Sequence, residues 1–402
     1  MEPVRHVPDG ERRARLGRRQ GLAEPLLSAV ATARSVVALH ATEPASVAIS
    51  AWARAPQLTR GDLDSAFARR DLVRQLSLRR TLFALPGDLL PAVHASICPR
   101  IAERARAELR KGVALAGVDG DPEVWIERAL AGIIGELEAG PPLSATALRE
   151  RVPEAVGSYR QGEGTRWASN VSLTPKVIQL AALEGAVVRC GEEGDWRSPR
   201  PLWTTMSRWV GEVPTLTERE GYAELVRRWL ATHGPGTVED AAWWIGATKT
   251  AVRTALTDVG AVAVSLDSGG LGWLLPDDLE PVTTPAPWGA LLPVLDPTIM
   301  GWRDRYFLLG PHRPRLFDSV GNAGTTAVLE GRVVGVWVQD AAGAVEVSPL
   351  EPLPAAGRAL LAEKAAALTM WLDGERVFSV YPSPAMRAAQ PPPGRGQQPR
   401  RR

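Results

Sequence analysis

His40 and Thr42 are polar residues that lie two positions apart at the end of the apolar run 36–39. In an extended segment, residues i and i+2 face the same side, so an imidazole and a hydroxyl would converge on one small pocket. An imidazole with its ordinary pKa of about 6.5 can orient and partly deprotonate a water molecule. The hydroxyl can hold that water or fix the imidazole tautomer. The alternative interpretation is a buried histidine beside a threonine that caps the helix starting near Pro44.

A second group of residues is basic and lies close to predicted strands and helices. Three arginines lie on or near the strand-like segment 72–86, and the planar guanidinium suits bidentate hydrogen bonds to phosphate. Three other basic residues lie near the starts of helices that would face nucleic acid in a winged-helix protein. For each residue, the alternative is a solvent-exposed charge with no ligand. The predicted DNA-binding residues are Arg54, Arg74, Arg79, Arg80, Lys176, Lys249 and Arg253.

The composition excludes several classes of protein. The 402-residue chain is 45% hydrophobic and 23% charged, as in globular proteins, and its net charge of +2 excludes neither nucleic acid nor a small ligand. Its arginine richness is also what a GC-rich genome produces, so it does not by itself indicate DNA binding. Cys98 and Cys190 are too few and too far apart for a zinc cluster or a disulfide scaffold, and we expect both to be buried, reduced thiols. No signal peptide or membrane span is present, which predicts a cytoplasmic protein. The sequence also contains no phosphate-binding glycine loop of the P-loop or Rossmann type.

The elements that position these residues recur along the chain as helices followed by a two-stranded ribbon. The pattern is clearest where helices at 218–233, 237–244 and 248–258 precede strands at 262–266 and 273–275. Helix, helix, turn, helix and wing is the winged-helix pattern, a variant of helix-turn-helix. The predicted fold class is therefore α+β, mainly α, with three tandem winged-helix units and a C-terminal β-rich domain.

The pattern also predicts where the units begin and end. In the first unit, residues 20–33 are predicted to form one helix and residues 72–86 the ribbon. The predicted boundaries are a disordered leader at 1–14, winged-helix unit 1 with the catalytic motif at 15–88, a helical linker and winged-helix unit 2 at 89–212, winged-helix unit 3 at 213–285, a β-rich domain at 286–386 and a disordered basic tail at 387–402.

Seven short motifs follow one another along the chain. They are Arg18-Arg19-Gln20-Gly21-Leu22-Ala23, Val37-Ala38-Leu39-His40-Ala41-Thr42, Ser50-Ala51-Trp52-Ala53-Arg54, Leu78-Arg79-Arg80-Thr81-Leu82-Phe83-Ala84-Leu85-Pro86, Ala241-Ala242-Trp243-Trp244-Ile245-Gly246, Leu291-Leu292-Pro293-Val294-Leu295-Asp296 and Gly331-Arg332-Val333-Val334-Gly335-Val336-Trp337. This ordered set resembles the AlkZ-like DNA glycosylases and covers nearly the whole chain between the two tails.

The resemblance implies a fold and a chemistry. It implies three tandem winged-helix units with a C-terminal β domain, and excision of bulky or cationic N-alkylated purines without a metal or organic cofactor. For some members of the family, the implied activity includes excision at both ends of an interstrand crosslink. The family's catalytic motif is Gln-x-Gln, or Gln-x-Asp in a related branch, and by position it falls on His40 and Thr42. An alkylated purine is already a cationic leaving group, so a neutral imidazole suits it better than an imidazolium. We therefore expect activity to fall as the pH drops through the imidazole pKa.

The predicted function is a monofunctional DNA glycosylase that hydrolyses the N-glycosidic bond of N7-alkylguanine and N3-alkyladenine, with a water positioned by His40 and Thr42. Bulky adducts and crosslinks are further predicted substrates. The enzyme would act as a monomer on double-stranded DNA near the bacterial nucleoid, in base excision repair or self-resistance. Two alternatives remain open: a non-catalytic winged-helix DNA-binding regulator and a damage-binding protein. A regulator usually dimerises and reads base edges, whereas a glycosylase tolerates any flanking sequence.

Overall fold

The computed structural model describes residues 2–162, 164 and 168–390 and contains both helices and strands. The α-helices are α1 (Asp9–Arg19), α2 (Ala29–Arg34), α3 (Pro44–Arg54), α4 (Arg60–Ala68), α5 (Leu90–Ser96), α6 (Cys98–Leu115), α7 (Pro122–Ala139), α8 (Ala145–Arg151), α9 (Thr174–Leu183), α10 (Met206–Trp209), α11 (Glu218–His233), α12 (Val238–Ile245), α13 (Lys249–Asp258), α14 (Tyr306–Leu309), α15 (Arg313–Leu316), α16 (Ala355–Leu372) and α17 (Pro384–Ala389). The β-strands are β1 (His6–Val7), β2 (Leu39–His40), β3 (Leu72–Leu76), β4 (Leu82–Pro86), β5 (Leu143–Ser144), β6 (Ser158–Gln161), β7 (Ser169–Ser172), β8 (Val187–Glu193), β9 (Arg200–Thr205), β10 (Val262–Leu266), β11 (Leu271–Leu274), β12 (Gly289–Leu292), β13 (Thr326–Leu329), β14 (Arg332–Gln339) and β15 (Val345–Pro349). The predicted α+β fold class is confirmed.

The first winged-helix unit contains α2, α3 and α4, followed by the wing strands β3 and β4. Thr59 and Asp62 form a capping box that starts α4, as their types and spacing predict. The single helix predicted over 20–33 is wrong, because α1 ends at Arg19 and α2 begins only at Ala29. Gly21, in the left-handed region at φ 67°, and Pro25 interrupt the helical backbone between them.

The second unit joins the first through a shared β-sheet. Its wing strands β8 and β9 form a six-stranded sheet with the first unit, in the order β2-β4-β3-β8-β9-β5. The junction is the antiparallel pairing of β3 with β8, where Arg74 lies opposite Arg189. The helix α9 packs inside this unit, and most of its side chains are buried.

The third unit holds α11, α12 and α13 and the wing strands β10 and β11, in the predicted order. Its sheet has a third strand, since β1 pairs in parallel with β10 and places His6 opposite Ser265. The prediction of a disordered leader at 1–14 is therefore wrong for residues 6–14, which lie in or beside β1 and α1. Of the predicted tail at 387–402, residues 387–389 belong to α17 and residues 391–402 lie outside the described residues.

The C-terminal domain is a four-stranded antiparallel sheet in the order β12-β13-β14-β15, with α16 packed on it. The helix α3 of the first unit packs against this domain: Ile49 and Trp52 share a hydrophobic cluster with Leu291 and Trp337. Because α3 begins two residues after Thr42, this packing fixes the predicted catalytic motif between the first unit and the C-terminal domain.

Two further features bear on the class of protein. Within the part of the chain that the structure describes, no helix combines the length and apolar character needed to cross a bilayer. The same residues contain no cluster of three or more His, Cys, Asp or Glu that could hold a metal ion.

Both cysteines are free thiols; Cys98 is buried, as predicted, but Cys190 is only half-buried.

Candidate active site

His40 ends the edge strand β2 and lies opposite Phe83 of β4. Its ring meets the Phe83 ring edge-on with the centroids 4.8 Å apart, and only 6% of the residue is exposed. Burial, reinforced by the positive charge of Arg79 and opposed by Asp296, lowers the pKa of His40 to about 3. Nδ1 is buried and has no hydrogen-bond partner among the described residues. The imidazole is therefore neutral near pH 7 and has a free nitrogen.

Thr42 is exposed and lies outside the strand. The backbone stays paired through Ala41, whose N–H donates to the carbonyl of Leu82 at 2.9 Å, and then turns toward α3. Among the described residues, Thr42 makes no hydrogen bond to His40. The predicted convergence of the two side chains is not seen, because the regular alternation of a strand ends at His40.

A buried polar network ties α3 to the segment that follows β12. Arg54 and Asp296 are both fully buried, and Nη2 of Arg54 lies 2.8 Å from Oδ1 of Asp296. Ser50 donates to Asp296, and Thr298 accepts from Arg54 at 2.6 Å and donates to Gln20 at 2.6 Å. Arg54 therefore holds the core together, and its guanidinium does not reach a surface that DNA could contact.

The turn between β3 and β4 carries two adjacent arginines in the left-handed region. Arg79 has φ 52° and Arg80 has φ 60°, a conformation that costs non-glycine residues about 1–3 kcal/mol. The turn lies one hydrogen-bonded strand away from His40, since β4 pairs with β2. Strain of this kind concentrates at functional sites, where the surrounding structure maintains it.

Two arginine-lined clefts meet at Arg79. The first, of about 510 Å³, lies between the β3–β4 turn and α6 and is lined by Arg79, Arg80, Ile97, Arg100, Ile101, Glu103, Arg104, Ala107 and Gly246. The second, of about 760 Å³, lies along the third unit and the C-terminal domain and is lined by Arg79, Trp243, Arg303, Arg305, Arg313, Pro314, Phe317, Asp318, Ser319, Val320, Gly321, Pro384 and Arg387. Across the described residues, none of these eight arginines forms an ion pair. Both clefts therefore carry a net positive charge, although Glu103 lines the first and Asp318 lines the second.

In the second cleft, the indole ring of Trp243 contacts two guanidinium groups. The guanidinium of Arg79 lies 3.9 Å from the centroid of a Trp243 ring, and that of Arg305 lies 4.9 Å away. Burial lowers the pKa of Arg305 to about 9, with Arg313 and Arg79 adding like-charge repulsion. Cations crowded in this way gain free energy when an anion such as a phosphate enters.

The other four predicted DNA-binding residues lie in different parts of the fold. Arg74 is mostly buried, pairs with Glu192 at 2.9 Å and stacks on Phe67 at 3.6 Å, so it serves the shared sheet. Lys176 is half-buried on the core helix α9. Lys249 and Arg253 are exposed on α13, and Lys249 pairs with Glu239 at 2.5 Å. Neither of the two clefts includes any of these four residues.

Glu43 is a candidate residue that the sequence reasoning missed. It follows Thr42 directly, is 6% exposed and lines a separate cavity. Burial raises its pKa, although the N–H of Val380 donates to its carboxylate. Its position beside the motif was a usable signal, but only the tertiary structure shows that it is buried.

The fold and these clefts define a class: a protein of tandem winged-helix units with a cationic surface suited to nucleic acid. A family model described as DNA glycosylase AlkZ-like matches residues 33–371, so the chain belongs to the AlkZ-like DNA glycosylase family. Among solved structures, it is similar to Streptomyces sahachiroi DNA glycosylase AlkZ, with 18% identity and a TM-score of 0.71. That match covers 92% of this chain and 98% of the other. No curated protein matched.

Proposed function

We propose that this protein is a monofunctional DNA glycosylase that hydrolyses the N-glycosidic bond of N-alkylated purines in double-stranded DNA. Its substrates would be N7-alkylguanine and N3-alkyladenine, including bulky adducts and interstrand crosslinks, and it would act as a monomer. One observation carries the proposal beyond family membership. The two clefts of unpaired arginines meet at Arg79, in the turn that leads into the strand paired with His40.

The clefts suit a DNA strand because an unpaired guanidinium can bind each phosphate with two hydrogen bonds. Phosphates held along both clefts would bring the nucleotide between them close to Arg79 and to the motif beyond it. Repulsion from the arginines disfavours a cationic base within the clefts, so the alkylated base would leave them while its backbone stays bound.

The reaction needs little proton donation. The bond between C1′ and the purine nitrogen breaks with its electron pair going to the positively charged base, which leaves neutral, and water captures the sugar cation. We propose that Nδ1 of His40, which has no described partner, accepts a hydrogen bond from this water, and that the Thr42 hydroxyl holds it from the exposed side. Because burial lowers the pKa of His40 to about 3, its titration would not change the rate between pH 5 and 8. This replaces the expectation of a loss near the ordinary imidazole pKa.

Replacing His40 with alanine should reduce glycosylase activity about 100-fold, because the attacking water would lose the group that positions it and a misplaced reactant costs about 10²-fold in rate. The measurement is single-turnover formation of abasic sites in a duplex that contains one N7-methylguanine. The matched control is His6→Ala, which removes an exposed histidine paired with Asp267. Equal rates for His40→Ala and the unchanged protein would remove His40 from the site.

A damage-binding protein or a non-catalytic regulator is the second candidate function. The burial of His40 and the absence of a His40–Thr42 hydrogen bond among the described residues favour it, because neither side chain then acts on an open pocket. No product from the unchanged protein, together with tight binding to the same duplex, would support this function. Gel filtration then separates its two forms, because a regulator is expected to be dimeric.

The arginine clefts make a separate prediction about DNA binding. Each phosphate contact releases about 0.9 counterion, so Arg80→Ala should lower the slope of log K against log salt by about 1. Arg80 is exposed and lines the first cleft, which makes a folding defect from its removal unexpected. The slope is measured by titrating an undamaged duplex at several salt concentrations. Arg128→Ala, an exposed arginine on α7 outside both clefts, should leave the slope unchanged; an equal change in both variants would contradict the assignment.

A further inference from the structure

Glu43 is a buried carboxylate that no described cation neutralises. It is the N-cap residue of α3, but its side chain makes no capping hydrogen bond there. Its one described hydrogen bond comes from the N–H of Val380, which lies 3.3 Å from Oε2. A carboxylate taken out of water with so little compensation costs stability, and such groups are retained in proteins where they have a role, for example in catalysis.

Glu43 lines a cavity of about 390 Å³ between α3, the C-terminal sheet and the segment that precedes α17. This volume lies within the range of small-ligand sites. The walls combine polar side chains with apolar ones such as Ile49, and two of the lining residues, Trp337 and Phe378, are aromatic. The other charged groups in the wall are Asp340 and Arg376, and the Arg376 guanidinium lies 5.2 Å from the centroid of the Phe378 ring.

The helix α17 separates this cavity from the second arginine cleft. Met386 and Gln390 line the cavity, whereas Pro384 and Arg387 line the cleft. A DNA strand held by the cleft would therefore lie one short helix away from the cavity. The two spaces also differ in charge: the cleft carries five arginines against Asp318, and the cavity carries two carboxylates against one arginine.

We propose that this cavity receives a cationic base that carries a small alkyl group, such as N7-methylguanine, and that Glu43 is a catalytic carboxylate of the glycosylase reaction on such a base. The inference rests on the proposed function. Aromatic faces and carboxylates attract a cationic purine, whereas the arginine clefts repel it. Chemistry on a base within a duplex requires the base to leave the stack and enter such a pocket.

Glu43 would act after the base begins to depart. The C1′–N bond breaks with its electron pair going to the base, and the carboxylate stabilises the positive charge that develops on the sugar. Water then forms the new C–O bond at C1′ and gives one proton to Glu43, which releases it to solvent. The products are a neutral alkylated base and an abasic site. His40 positions the water in this scheme, and Glu43 supplies the negative charge that a neutral imidazole lacks.

The test compares Glu43→Gln with Glu24→Gln, which changes an exposed carboxylate of the same unit. The amide keeps an oxygen that can accept from the N–H of Val380. We expect the single-turnover rate on the N7-methylguanine duplex to fall at least 100-fold in Glu43→Gln while the Kd for the undamaged duplex of the same sequence changes less than twofold. Glu24→Gln should match the unchanged protein. A Glu43→Gln rate within threefold of the unchanged protein would overturn the catalytic role.

A second measurement tests the cavity separately. Titration of the nucleoside 7-methylguanosine, a cation, into the whole chain should show binding that weakens about tenfold in Glu43→Gln and several-fold in Phe378→Ala. Phe378 is 73% exposed, so its removal is compatible with folding. Nucleoside binding that is absent, or unchanged in both variants, would overturn the base pocket. If the unchanged protein binds the nucleoside but does not cleave the duplex, the proposed function fails and the pocket stands.

Discussion

Replacing Asp296 with alanine should lower the free energy of unfolding by about 3–5 kcal/mol, because the Arg54 guanidinium would remain fully buried without its counter-charge. Although burial alone would raise it, Arg54 holds the pKa of Asp296 below its usual range, so the pair is ionised. The loss would also disturb Ser50 and Thr298, which bond to the same two side chains. Urea unfolding of the whole chain, followed by tryptophan fluorescence, measures the change.

The matched control is Asp71→Ala, which breaks the exposed ion pair of Asp71 with Arg69. Exposed pairs contribute about 0–1 kcal/mol, so this variant should unfold almost as the unchanged protein does. A second variant separates charge from packing: Arg54→Met combined with Asp296→Leu removes both charges, and should recover much of the lost stability. An Asp296→Ala loss below 1 kcal/mol would show that Arg54 finds other compensation.

Acid should destabilise the protein strongly between pH 6.5 and 4.5, because its buried histidines are neutral in the folded state. Burial lowers the pKa of His40 and His233 to about 3 and that of His94 to about 4. Unfolding restores an ordinary pKa of about 6.5 to each imidazole. Below that pH the unfolded state binds protons that the folded state does not bind, so the free energy of unfolding falls as the pH falls. Each of His40 and His233 should cost roughly 2.5–3 kcal/mol at pH 4.5, since one proton corresponds to about 1.4 kcal/mol per pH unit.

The measurement is the difference in unfolding free energy between pH 7 and pH 4.5. In His233→Gln this difference should shrink by roughly 2.5 kcal/mol, because one proton uptake is lost. Val226→Ala, a buried substitution on the same helix α11, should lower stability at both pH values without changing the difference. If His233→Gln and Val226→Ala show the same pH dependence, His233 is not the group that acid protonates on unfolding.

Local patterns predicted much of the fold. The capping boxes of Thr59 and Thr237 and the wing strands of all three units depend on neighbouring residues, and the sequence shows those neighbours directly. The shared sheet and the pairing of β1 with β10 escaped prediction because they join residues more than a hundred positions apart. The pairing of such distant strands is decided by tertiary packing, which no local window contains.

The candidate site also has parts that local sequence predicted and parts that depend on tertiary packing. The motif at His40 and the arginines of the β3–β4 turn are recognisable from residue types and from the family motifs. Residue types and motifs do not show which side chains are buried or paired. That Arg54 lies opposite Asp296, and that Thr42 lies just past the end of a strand, is visible only in the tertiary structure. Arg303, Arg305, Arg313 and Arg387 were not predicted because they are spread over some eighty residues and come together only in the tertiary structure of the C-terminal domain.

The shared six-stranded sheet has a consequence for how damage would be detected. Since β3 and β8 are hydrogen-bonded neighbours, the arginine turn and the second unit belong to one continuous sheet. Two units that share a sheet do not swing freely toward each other around a lesion, so the duplex would have to bend to fit them. Alkylated sites that weaken base stacking make bending cheaper, and such an enzyme would select damage by the flexibility of the helix as well as by the shape of the adduct.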